Sequence, residues 1–392
     1  MQSEIKSPDD TTMPMNAVQH LPLDGLNVVA IEQAVAAPYC TARLADAGAH
    51  VIKIERQEGD FARSYDDVAA GQSSYFVWLN RGKDSHVLDI ASTDGRKRLK
   101  ELLANADVLV QNLKPSALDR LGFGREFLRR AYPRLIVCSI SGYGETGPLV
   151  SRKAYDLLVQ AESGLCSITG GPSEPARVGI SVVDIATGAT AYAAILEALI
   201  GRGITGQGAD IRVSMFDVMA DWLTVPLLQH EGGKPPKRIG LSHPSIAPYG
   251  VFTVRDGKQV LIAIQSDREW VQFCRDFMRA PELGSDPRFA RNVSRVENRG
   301  ETDAIVAEAF SRVDEVEARE ALTRANIAFA SLNDMSVLSG HPHLRRITVQ
   351  TEAGPVSYPA PAAIFVGEPR SYGAVPALGE KPRTRDLKAP AA

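Results

Sequence analysis

Asp184 is the residue whose type and setting most invite chemistry. It ends the apolar run VGISVVD and stands directly before IATGATAYAAILEALIGR (185–202), an Ala- and Leu-rich stretch that reads as a helix. Asp is a favoured N-cap there, worth about 1 kcal/mol. The same place faces free backbone N–H groups and the positive end of a helix dipole, which predicts an ionised carboxylate. An ionised Asp at a sheet edge is also a nucleophile toward an activated acyl group. Spacing alone leaves both readings open. Lys53, Arg56, Arg120, Arg152 and Lys153 each follow a predicted strand or helix. Converging, they would hold a phosphorylated ligand; apart, they are ordinary solvated side chains.

Other familiar chemistries find little support. Gly142-Tyr-Gly144-Glu-Thr-Gly147 matches GxGxxG after a strand, but Pro148 and a polar loop follow where a dinucleotide site needs a helix. A flexible turn is the simpler reading. GxxxxGK[ST] and GxSxG do not occur. His341-Pro-His343 lacks neighbouring Cys or clustered carboxylates, so no metal is expected. Cys40, Cys138, Cys166 and Cys274 are scattered without a CxxC pair, which predicts reduced thiols and a cytoplasmic setting. With 44 Lys and Arg against 47 Asp and Glu, the formal charge is −3, too balanced for a general nucleic-acid binder. No apolar run approaches the ~18 residues of a membrane span, so no membrane partner is expected.

The elements that must position these residues alternate in type. GLNVVAIE, HVIKIE, DVLVQNL and LIVCSIS read as strands; TARLADAG, stopped by Gly48, and DGRKRLKELLANA read as helices. Alternation of this kind implies parallel βαβ units and an open α/β sheet. After the 185–202 helix come the turn TGQG and ADIRVSMFDVMADWL, a strand entering a helix. Pro226 to Pro248, with GGKPPKR, reads as a domain connection. GVFTVRDGKQVLIAI follows as a hairpin turning at Asp256-Gly257. The 392 residues thus divide into a polar tail over 1–20, with Met13 and Met15 as alternative starts, a large domain over 21–225, a smaller α+β domain over 226–330, and a Pro-rich return segment over 331–392. The smaller domain is expected to be too short for a large core of its own.

LDGLNVVAIEQAVAAPYCTARLADAGAHVIKIER, DVLVQNLKPSALDRLGF, LIVCSISGYGETGP, AYDLLVQAESGL, VGISVVDIATG and TGQGADIRVSMFD together resemble the family III (CaiB/BaiF-type) CoA-transferases over residues 22–380. The resemblance implies a large Rossmann-like open-sheet domain, a smaller α+β domain, and a homodimer of interlocked chains. It implies CoA thioesters and carboxylic acids as substrates, with no permanently bound cofactor. Asp184 would be the nucleophile, passing through an acyl anhydride and an aspartyl-CoA thioester. Arg56, Asn112, Arg120 and Lys153 stand where family members contact CoA. Val35, Ala36, Leu88 and Asp89 stand where contacts are mostly backbone or packing. Tyr155 and Asp156 occupy a strip beside the acyl group.

The segment GLSHPSIAPYGVF differs from the glycine-rich loop of oxalate-specific relatives, which argues against oxalate. It is similar to the mesaconyl-CoA C1–C4 and succinyl-CoA:C5-dicarboxylate branch, with itaconate, mesaconate or citramalate as acceptors. His243, Ser245 and Tyr249 would then meet the acyl substrate, His243 at its distal carboxylate. Two alternatives remain. An α-methylacyl-CoA racemase on this fold would need His where Tyr155 stands, and a tyrosine near pKa 10 is a poor base at pH 7. A non-catalytic CoA-ester binding protein would bind CoA without using Asp184.

Overall fold

A computed structural model describes residues 20–368 and 370–380. The expected tail, apart from His20, and the end of the return segment lie outside the described residues. The chain forms two compact units. One comprises the described residues up to Ser141, Thr187–Val213, and the described residues from Ile347 on; the other comprises Gly142–Ala186 and Ser214–Arg346. This division differs from the one read from composition. Proline- and glycine-rich stretches mark loops, whereas these crossings fall inside a continuous helix, Val182–Thr205, and a strand.

The first unit carries the strands β1 (Asn27–Ile31), β2 (His50–Glu55), β3 (Lys83–Val87), β4 (Val108–Gln111), β5 (Ile136–Ser141) and β6 (Asp210–Ser214), in the sheet order β3-β2-β1-β4-β5-β6. β1 pairs in parallel with β2 and β4, β2 with β3, and β4 with β5. The order reverses between β1 and β4, the switch point at which open α/β sheets leave a crevice beyond their carboxyl ends. Val28, Val29 and Ala30 of β1 and Val108, Leu109 and Val110 of β4 are buried, as a sheet covered on both faces requires. Leu99 and Leu103 of the Thr93–Ala104 helix pack on one face with Phe123 and Leu128. The Ala36–Asp46 helix begins before the expected TARLADAG, and Gly48 beyond its end takes φ +106.

The second unit holds the antiparallel sheet β7 (Tyr249–Thr253), β8 (Gln259–Ala263) and β9 (Ala328–Ser331). Asp256-Gly257 makes the turn between the first two, with Gly257 at φ +83. This unit has a substantial core, contrary to expectation: Phe252, Ile262, Trp270, Phe273, Phe289 and Phe310 are buried together. Aromatic side chains bury large areas each, so a short segment supplies more core than its length suggests. Its expected connection also begins as a helix, Thr224–Glu231, with Pro226 in the first turn, where a missing N–H costs nothing.

The chain returns to the first unit as β10 (Arg346–Thr351) and β11 (Gly354–Pro359), a paired ribbon where irregular chain was expected. Val349 and Val375 pack against Ala69, Phe76 and Val77. Helix Val182–Thr205 is, by length and composition alone, apolar enough to cross a membrane, which local inspection of the sequence missed. Val183, Ala186, Ala191 and Ile195 on it are buried, and Arg202 near its end pairs with Asp107 at 3.0 Å. Packing accounts for part of that composition, since Ile200 and Ile204 near the carboxyl end of the helix are exposed.

Candidate active site

Asp184 is the third residue of helix Val182–Thr205, not its cap. The Ile185 N–H donates to the Ser181 carbonyl (3.0 Å), so the first helical bond already encloses Asp184. The capping acceptor comes from elsewhere. Asp156 opens the helix Asp156–Glu162, and its Oδ2 accepts the N–H groups of Val183 (2.8 Å) and Asp184 (3.1 Å). A carboxylate is thus held against the positive end of the helix that carries Asp184. Gln160, fully buried one turn beyond Asp156, donates from Nε2 to Asp156 Oδ1 (2.5 Å) and accepts the Val178 N–H at Oε1 (2.9 Å). Gln160 therefore ties the cap to the chain that enters the long helix.

This arrangement weakens the expected ionisation. Burial first, and then the neighbouring charge of Asp156, push the Asp184 carboxyl up to about 7. The N–H groups that would have held it ionised are bonded to Asp156 instead. At neutral pH Asp184 is divided between acid and carboxylate, and its carboxylate is more basic than that of a solvated Asp.

Tyr155, extended at φ −138 and ψ 159, precedes Asp156 and exposes its ring to solvent. Lys153 is exposed nearby in the chain, whereas Arg152 pairs with Glu162 at 3.0 Å. The residues of GxGxxG are turns and bends, without the following helix of a dinucleotide site. Their first glycine has a steric purpose. A Cβ on Gly142 would lie 2.1 Å from the Ala154 Cβ, so only glycine lets the chain before Asp156 pass there.

The His243–Tyr249 segment belongs to the same unit and is built by residues that the sequence did not single out. The His243 ring stacks on Tyr249 at 5.3 Å, and its Nδ1 accepts the Ser245 N–H (3.1 Å). Asn292 bonds the Ser245 carbonyl and the Ala247 N–H (2.9 and 3.1 Å). Arg295, fully buried, donates to the Ala247 carbonyl (2.6 Å), and Arg299 to the carbonyls of His243 (2.7 Å) and Ile246 (2.9 Å).

The other candidates lie in the first unit, at or beyond the carboxyl ends of its strands. Val35 and Ala36 are buried where the Ala36–Asp46 helix begins, Leu88 packs against the core, and Arg56, Asp89 and Arg120 are exposed. Asp89 accepts the Ala91 N–H (2.9 Å). Asn112 spans the switch point: its Oδ1 accepts the Gln33 N–H (3.0 Å), and its Nδ2 donates to the Gln33 carbonyl (2.8 Å). Lys53 corrects the expectation of a solvated or phosphate-binding cation. It is fully buried and paired with Asp60 (2.8 Å) and Glu32 (3.5 Å). The alternation of HVIKIE gives no warning of this, because the compensating acids lie outside that strand. Among the described residues no group of three or more His, Cys, Asp or Glu is disposed to hold a metal ion.

A model of CoA-transferase family III matches residues 23–382. Acetyl-CoA:oxalate CoA-transferase of Acetobacter aceti is 37% identical over 371 residues, covering 92% of this chain and 94% of that protein. Succinyl-CoA:glutarate CoA-transferase of Homo sapiens is 32% identical over 376 residues, 94% of this chain and 85% of that one. The crystal structure of a CAIB/BAIF family protein from Brucella suis is similar with a TM-score of 0.78 and 34% identity, over 92% of this chain and 97% of that chain. The chain belongs to CoA-transferase family III and is a CoA-transferase.

Proposed function

We propose that Asp184 is the covalent nucleophile of a transferase that moves CoA between dicarboxylic acids. The Asp184 carboxylate attacks the thioester carbonyl, forming a mixed anhydride and releasing the CoA thiolate. The thiolate attacks the aspartyl carbonyl of that anhydride, giving an aspartyl-CoA thioester and the free donor acid. The carboxylate of the acceptor repeats the sequence in reverse, leaving as its CoA ester and restoring Asp184. Each step exchanges one acyl bond for another, and none needs an oxidant, a reductant or a metal. Backbone N–H groups near the reacting carbonyl would stabilise each tetrahedral oxyanion.

The observation that carries this reading is the setting of Asp184, half-buried in the first helical turn beside the Asp156 carboxylate and titrating near 7. A basic carboxylate is a stronger nucleophile than a solvated one, and half of it remains ionised at neutral pH. In the second unit, Lys153 is assigned to CoA, and Tyr155 and Asp156 to the strip beside the acyl group. In the first unit, Arg56, Asn112 and Arg120 are assigned to CoA, with Val35, Ala36, Leu88 and Asp89 contributing mostly backbone or packing contacts at the carboxyl ends of its strands. His243, with Ser245 and Tyr249, meets the distal carboxylate of the acyl group.

The relatives named for oxalate and for glutarate share a dicarboxylate acceptor, which supports that class here. Within it we favour succinyl-CoA as donor, with itaconate, mesaconate or citramalate as acceptor, or the intramolecular C1–C4 transfer of mesaconyl-CoA. An interlocked homodimer is part of the reading, supported by exposed Ile200, Ile204, Trp222, Val225 and Leu228. So is a cytoplasmic setting, in which its four cysteines remain thiols.

Intact-protein mass spectrometry after incubation with succinyl-CoA or acetyl-CoA, with hydroxylamine in a parallel sample, tests the mechanism. Oxalate, glutarate, mesaconate, itaconate and citramalate serve as acceptors, and new CoA esters are read by liquid chromatography. A hydroxylamine-sensitive adduct on Asp184 and a new dicarboxyl-CoA are expected. Turnover by Asp184→Ala at the wild-type rate would overturn the assignment.

A further inference from the structure

The turn that leaves β1 is held from three sides. Ala34 takes φ +64, a left-handed conformation that an alanine adopts only under constraint. Its N–H donates to Asp60 Oδ1 (3.1 Å). The residue before it, Gln33, has both backbone groups bonded by Asn112 from beyond β4. Glu32, one earlier, has its carbonyl near the Lys53 ammonium (3.4 Å).

Behind the turn lies a buried set of charges. Lys53 bonds Asp60 Oδ2 (2.8 Å), Lys83 bonds Glu32 Oε1 (2.7 Å), and Arg63 bonds Glu55 (2.7 Å). Glu55 Oε2 also accepts the Asp60 N–H (2.9 Å). Three cations thus meet three anions, and Lys53, Lys83, Glu32, Glu55 and Asp60 are each almost wholly buried. Buried ion pairs are a poor source of stability, since well-packed apolar side chains of the same volume serve as well or better. What such a cluster supplies is a fixed geometry, and here Asp60 Oδ1 accepts two backbone donors, the Ala62 N–H (3.0 Å), which caps the Phe61–Ser64 turn, and the N–H of Ala34, the strained residue of the 32–36 turn. That turn sits at the point where the strand order reverses, the ligand-binding edge of an open α/β sheet.

We propose that Asp60, braced by Lys53, is a positioning residue that holds the 32–36 turn in the conformation that receives the CoA thioester, with Asn112 bracing it from across the switch point. The inference rests on the placement of CoA at that edge under the proposed function. Asp60 touches no substrate; it acts through the backbone of Ala34.

The test measures the affinity of the full chain for free CoA by calorimetry, together with KM for acyl-CoA and for the carboxylic acid. Asp60→Ala is expected to weaken CoA about tenfold, equivalent to about 1.4 kcal/mol, while KM for the acid stays within about twofold. Adding Ala34→Gly to Asp60→Ala is expected to recover about threefold or more, because glycine takes the left-handed conformation unaided. A merely structural role would lower the melting temperature and leave both effects absent. A folded Asp60→Ala protein with wild-type CoA affinity, or no recovery from Ala34→Gly, overturns the proposal. Should Asp60→Ala fail to fold, Asp60→Asn, which gives up the ion pair with Lys53, carries the test: a loss of CoA affinity that added Ala34→Gly recovers supports the clamp, and wild-type affinity, or a loss that Ala34→Gly leaves in place, overturns it. A wild-type protein that binds no CoA would instead overturn the placement of CoA on which the inference rests, and the inference with it.

Discussion

Replacing Asp156 by Asn removes a charge while keeping an oxygen able to accept the N–H groups of Val183 and Asp184. The Asp184 carboxyl stands at about 7 against an ordinary 3.8, with burial the larger cause and Asp156 the second. Asp156 therefore accounts for less than half of a rise of about three pH units, and its removal is expected to lower the midpoint by about one. The assay is single-turnover formation of the aspartyl adduct across pH 5 to 9. Wild type should gain activity as pH rises through about 7, because only the carboxylate attacks. The variant should reach half its plateau near pH 6. Stability gives an independent reading. The unfolded chain releases the Asp184 proton near 4 and the folded chain holds it to about 7, so stability falls as pH rises across that window. The fall should be smaller in the variant by about 1.4 kcal/mol. A midpoint unchanged or raised by Asp156→Asn would refute the coupling and the reasoning built on it.

Three further outcomes follow from the same structure. Asp184→Asn should form no adduct and yet be more stable than wild type above pH 8, by about 2 kcal/mol after allowance for partial exposure, measured by urea unfolding. Gly142→Ala places a methyl against Ala154 and should displace the chain entering Asp156, lowering kcat about tenfold or more in steady-state assays while CoA affinity holds. Arg295→Met leaves the carbonyls of Ala247 and Phe289 without their donor. It should cost about 2 to 4 kcal/mol, read from the fluorescence of Trp270, over which the guanidinium lies at 5.2 Å.

Much of the architecture was legible because its signals are local. β1, β2, β4 and β5 are apolar runs, the Thr93–Ala104 helix carries Leu99 and Leu103 one turn apart, and Asp-Gly marks the β7–β8 turn. β3 was not legible, since KDSHV is polar and becomes a strand only by pairing with β2. The candidate site was legible in its residues and not in its arrangement. Asp184 and Asp156 were both singled out, but which of them caps the long helix depends on a contact across 28 residues. Lys53, placed on a strand of alternating type, looked solvated because Glu32 and Asp60 meet it only in three dimensions. Asp60 and Asn292 lie in none of the segments that carry the resemblance, and Gln160 lies in one without being singled out, as their work is done on backbone groups of distant loops.

A helix capped by its own preceding residue can finish its first turn as soon as it forms. Helix Val182–Thr205 lacks that independence, because its capping oxygen arrives on another helix. Until the two helices dock, the Asp184 carboxyl lacks the neighbouring Asp156 charge that helps raise it to about 7. Under the proposed mechanism, completion of the fold is therefore what would arm Asp184. If Asp184 is the nucleophile, a chain partly unfolded by heat is expected neither to consume thioesters nor to acylate itself, so adduct formation would report on the state of folding.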